Sequence, residues 1–89
     1  MARTDMGFAD NALPGELKPG PEDYFELGIA FATGDEVEAD LIAAHKWFNL
    51  AALAGNREAA DHRHDLADEM TDAEIAAAQR AAREWLTRH

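Results

Sequence analysis

The sequence predicts an all-α domain built from antiparallel helical hairpins, about four helices in all. Three observations carry that expectation. Apolar residues recur at helical spacing in successive stretches, and no stretch alternates apolar and polar residues as a half-buried strand would. Each stretch is bracketed by residues that start or stop helices. The connections between stretches are short, so neighbouring helices must run antiparallel.

The first helix starts at Pro21. Proline suits the first helical position, where its missing N–H has no intrahelical partner, and Glu22 and Asp23 suit the positive end of the helix dipole. Tyr24, Leu27, Gly28 and Phe31 then share one face, and Gly34 is a natural stop. Asp40 is placed to cap a second helix, whose apolar stripe is Ala44, Trp47, Phe48, Ala51 and Ala52. Gly55 ends it, and Asn56 can cap a third helix over about 57–69, with Ala59, Leu66, Ala67 and Met70 on its buried side. Thr71 and Glu74 have the spacing of a capping box, flanked by Met70 and Ile75 where a hydrophobic staple would sit. In the fourth helix Ile75, Ala78, Ala82, Trp85 and Leu86 face inward, with Arg80 and Glu84 outward.

Residues 1–20 hold Gly7, Pro14, Gly15, Pro19 and Gly20 among scattered polar groups and keep no period, so they read as a disordered leader before a domain over 21–89. A folded part of about 70 residues buries only some 60% of its unfolded surface, which leaves a thin core and little room for a catalytic pocket. Cysteine is absent, which removes disulfides, thiolate catalysis and cysteine-ligated zinc. No apolar run approaches the roughly 20 residues that span a bilayer, and no secretory signal opens the chain, so a cytoplasmic location is expected. Eighteen Asp and Glu stand against eight Lys and Arg, a balance that disfavours nucleic acid and anionic membrane as partners. The stretch from Pro21 to Asp40 holds Glu22, Asp23, Glu26, Asp35, Glu36, Glu38 and Asp40 and no base.

The spacing resembles that of helical-hairpin repeats. Tyr24-x-x-Leu27-Gly28-x-x-Phe31 is similar to the first helix of a tetratricopeptide repeat, but the continuation resembles the related Sel-one-like repeat family more closely. That family's pattern runs L-G-x-x-Y, G-x-G-V-x-x-D, A-x-x-W-Y and A-A-x-x-G. Here its positions are Leu27, Gly28, Phe31, Gly34, Val37, Asp40, Ala44, Trp47, Phe48, Ala51, Ala52 and Gly55; the second loop glycine departs, being Glu36. Physically, Gly28 and Ala51 allow close helix approach, Trp47 fills the space between, Val37 pins the loop and Asp40 caps the second helix. The resemblance fades after one hairpin, since Arg63 and His64 stand where a second Leu-Gly pair would be. It implies an α/α solenoid fragment, with a degenerate half-repeat closed by a capping helix, and a scaffold or adaptor that binds protein segments.

The sequence offers little chemistry. Serine is absent and the threonines fall at predicted boundaries or ends, so nucleophiles are scarce. His62, His64 and Asp68, with Asp61 and Asp65, allow a weak surface metal site, but a solvated polar face is the simpler reading. No cofactor and no enzymatic activity are expected. Phe25 and Ile29 lie off the packing face of the first helix, beside Glu26 and Thr33, and no preceding repeat covers them; coverage by the leader or by a second copy is the structural alternative. These four residues are the expected partner contact, reached by another protein through a basic segment. The alternatives are a small homodimer whose exposed faces satisfy each other and a metal-binding accessory protein; a monomer or weak homodimer fits the composition.

Overall fold

The computed structural model describes residues 19–88; the leader expected to be disordered lies outside the described residues except for Pro19 and Gly20, as does His89. The fold is all-α. Helix α1 spans Pro21–Thr33, α2 Leu41–Leu53, α3 Arg57–Ala67 and α4 Asp72–Arg88, with no strand among the described residues.

Local chemistry sets each boundary. The Asp23 carboxylate accepts from the Gly20 N–H (3.0 Å) and so holds the entry to α1. The helix ends where Gly34 turns left-handed (φ 79°) and its N–H closes on the Ala30 carbonyl. Asp40 caps α2 by accepting from the Ala43 N–H at 3.1 Å. At the other end, Gly55 (φ 107°) donates to the Ala52 carbonyl and Asn56 to that of Ala51, a Schellman closure. The Asn56 side chain then accepts from the Ala59 N–H at 2.9 Å, so one short turn both ends α2 and starts α3. The capping box before α4 is reciprocal: Thr71 N–H donates to Glu74 Oε1 (2.9 Å), and Glu74 N–H donates to Thr71 Oγ1 (3.1 Å).

Two sequence expectations need correction. Helix α3 ends at Ala67 rather than Glu69, because Asp68, Glu69 and Met70 donate to carbonyls only three residues back and tighten the last turn. Leu86 does not face inward. It is 52% exposed, and the neighbouring Trp85 takes the inward position.

The helices form antiparallel hairpins around α2. Tyr24, early in α1, meets Trp47 midway along α2, while the Phe31 carbonyl at the end of α1 accepts from the Asp40 N–H just before α2 at 2.9 Å. Across the next turn Phe48 stacks on His62, and Asn49 accepts from Arg63 at 2.6 Å. Helices α1, α3 and α4 all pack on α2. Residues Ala43 to Phe48, then Leu50 and Ala51, are therefore buried in near-continuous sequence, which no single-faced helix could achieve. Trp47, Phe48 and Leu50 are the largest side chains fully withdrawn from water, and burial of such side chains contributes roughly 1.5–3 kcal/mol each.

Gly28 sets the approach of α1 to α2. A Cβ on it would lie 2.5 Å from two carbons of the Phe48 ring, which is itself 1% exposed. Val37, half-buried against the core, holds the loop between the two helices. In that loop Glu36 adopts φ 73°, a left-handed conformation costly for a residue with a side chain, at the position where the repeat pattern carries its second glycine.

Candidate functional site

The expected contact residues lie on the side of α1 away from Tyr24, Leu27, Gly28 and Phe31. Glu22, Glu26 and Thr33 are exposed, and Phe25 and Ile29 are half-buried. Thr33 is held in place, since its hydroxyl donates to the Ile29 carbonyl at 2.9 Å. Phe25 is less open than its sequence position suggests. Its ring packs on Phe48 (centroids 5.8 Å) and meets the His62 imidazole edge-on (5.3 Å), so α3 covers part of it. Ile29 also rests partly on the core.

The Phe25–His62 contact joins two faces that the sequence presents separately, the outer side of α1 and the polar side of α3. His62 stacks on Phe48 with an interplanar angle of 23°, keeps 41% of its side chain exposed, and stands 4.0 Å from Glu58 Oε2 one turn earlier. Because α1 and α3 are each antiparallel to α2, they run in the same direction. Glu22 and Glu58 thus both precede the contacting pair by about one turn, and Ile29 and Asp65 both follow it. The seven acids from Glu22 to Asp40 are all exposed. Two of them, Asp23 and Asp40, are committed to helix caps.

Two further groupings lie in the core. Tyr24, Trp47 and Trp85 form an aromatic layer where α1, α2 and α4 meet. The Trp47 and Trp85 centroids are 5.0 Å apart, and the Trp85 indole N–H donates to the Tyr24 hydroxyl at 3.0 Å. Lys46 lies over this layer, its Nζ 4.3 Å from the Trp47 centroid and 5.2 Å from that of Trp85, with the residue only 8% exposed. A contact across 61 positions of sequence leaves no local signal, and a lysine beside an apolar stripe ordinarily reads as solvated. The second grouping centres on His45, 3% exposed, whose Nδ1 has no hydrogen-bond partner. Burial, reinforced by the Arg63 guanidinium, holds its imidazole below the ordinary value of 6.5, although its own backbone offsets part of this. The Trp47 indole N–H is likewise buried without a partner.

Among the described residues no group of three or more His, Asp and Glu is placed to hold a metal ion, and no helix is long and apolar enough to cross a membrane. The polar groups with defined geometry cap helices, tie α3 to α2 or sit in the core. Outward, Phe25 of α1 and the partly exposed His62 of α3 meet edge-on, with exposed Glu22, Glu26 and Glu58 on the same two helices. Compared with family models, curated proteins and solved structures, the chain matches none.

Proposed function

We propose that this chain is a protein-interaction module of the Sel-one-like repeat type, acting as an adaptor or a regulatory accessory to a larger assembly rather than as an enzyme. The observation that carries the reading is the outward face itself: half-buried Phe25 and Ile29, joined through His62 to α3 and flanked by exposed Glu22, Glu26 and Glu58. An apolar centre with a charged rim is the usual anatomy of a protein contact. The repeat reading draws support from Gly28 seated against Phe48, from buried Ala44, Trp47 and Ala51, and from the left-handed backbone at Glu36. On this reading α1 and α2 form one repeat, α3 is a half-repeat and α4 caps the stack.

A second reading, a small homodimer, is favoured by Leu53 and Leu86, which are 66% and 52% exposed. Hydrogen exchange separates the two. The full chain is used as bait in native lysate, a recovered partner is produced in pure form, and amide protection is mapped with and without it. Protection gained along α1 and α3 supports the module. Protection around Leu53 and Leu86 that depends on the chain's own concentration, with light scattering at twice the monomer mass, supports the dimer instead.

A further inference from the structure

We infer that the joined face of α1 and α3 is a seat for arginine side chains of a partner protein segment. This rests on the interaction-module reading and names the chemistry that would be recognised. The floor comes first. The Phe25 and His62 rings meet edge-on at 5.3 Å with their planes 72° apart, and His62 keeps 41% of its side chain exposed while stacked on Phe48, so part of the imidazole stays open beside the half-buried phenyl ring. Rings held this way attract planar cations, and a guanidinium stacks on them more readily than an ammonium does.

The margins complete the match. Glu22 on α1 and Glu58 on α3 each stand about one turn before their ring, Glu58 within 4.0 Å of the His62 imidazole, and Glu26 follows Phe25 in the chain. Beyond the pair come Asp65 on α3 and, past the end of α1, exposed Asp35, Glu36 and Glu38. The α1 side of the face has no competing base, and on α3 the exposed Arg57 stands at the helix start. No Lys or Arg occurs between Pro21 and Asp40, and the α3 residue Arg63 is turned toward α2, where it donates to Asn49 at 2.6 Å. A carboxylate pairs with a guanidinium through two parallel N–H···O bonds, a fit that a lysine ammonium cannot reproduce. A second copy of this chain would bring net charge −10 against the same acids, and a phosphate backbone would be repelled too. The occupant that fits is a cationic protein segment with arginine at its centre.

The test uses the full chain, isotopically labelled, titrated with a short peptide of two arginines flanked by leucines and with its lysine counterpart. The arginine peptide is expected to shift the amides of Phe25, Ile29 and His62, to bind about fivefold more tightly than the lysine peptide, and to weaken as salt rises. Glu26→Gln and Glu58→Gln, both on exposed side chains, should weaken both peptides. His62→Ala should remove most of the preference for arginine, with circular dichroism checking that the fold persists. If His62→Ala loosens the fold, the preference measured on the parent chain and on the two Gln variants still decides. Equal affinity for the two peptides, shifts centred elsewhere, or no binding would overturn the inference. A native partner seated here through a segment without arginine would overturn it too, while leaving the module reading intact. Absence of any protein partner would instead defeat that reading.

Discussion

At Gly28 a single hydrogen atom decides how closely two helices pack. Alanine is normally better than glycine inside a helix by about 1 kcal/mol, but its Cβ here would lie 2.5 Å from a buried ring that has no room to withdraw. Overpacking of this kind costs about 1–3 kcal/mol, so Gly28→Ala should lower stability by roughly 1 kcal/mol in urea unfolding despite the better propensity. Glu36 is the converse case. Relief of its left-handed strain should outweigh the extra chain entropy of glycine, so Glu36→Gly is expected to stabilise by about 0.5–1 kcal/mol and raise Tm by several degrees. His45 links the core to pH. Its folded-state value lies below the 6.5 of an exposed imidazole, so the unfolded chain binds the extra proton first. Stability is therefore full at neutral pH and falls as pH drops from 6.5 toward the folded-state value. Unfolding at neutral and mildly acidic pH, compared between the parent and His45→Leu, isolates this group: the variant should lose less stability on acidification.

At the scale of the helices, the features legible in the sequence were the local ones. Asp40, Asn56 and the Thr71–Glu74 pair act within four residues of themselves, and all of them cap as their spacing implies. Asn56→Ala should cost about 1 kcal/mol and chiefly loosen the amides of α3, measured by hydrogen exchange. The burial of α2 was only half legible. Its stripe gave Ala44, Trp47, Phe48 and Ala51, but Leu50, Ala43 and Lys46 are buried because three helices surround α2, and the number of neighbours is not written in its own period. For the same reason Leu86 was misplaced. The helical face of α4 is wide enough for either Trp85 or Leu86, and the distant Tyr24 and Trp47 select the tryptophan. Of the proposed contact face, only the α1 part was legible. Its continuation onto α3 depends on Phe25 meeting His62, a tertiary contact that neither helix announces.

For the whole molecule, one central helix carries the fold, and one acidic face is the proposed partner contact. Trp47 is 0% exposed and touches the ring systems of both α1 and α4, so its loss opens the layer where α1, α2 and α4 meet. Trp47→Ala should cost about 3–5 kcal/mol, comparable with the entire stability of a small domain, and leave no cooperative melt by circular dichroism. The outward face tolerates far more, because its acids make few contacts of their own. The most direct measurement is quantitative affinity capture from native lysate with three full-length baits: the parent, Glu22→Lys with Glu26→Lys on α1, and Glu84→Lys on exposed α4. Glu84→Lys should melt like the parent and the α1 variant somewhat lower, because a lysine in the first turn of α1 opposes the helix dipole by about 1 kcal/mol. Proteins retained by the parent and by Glu84→Lys should be lost from the α1 variant, because reversing two carboxylates turns attraction into repulsion at the face. If all three baits retain the same proteins in the same amounts, the face over α1 and α3 is not the contact surface.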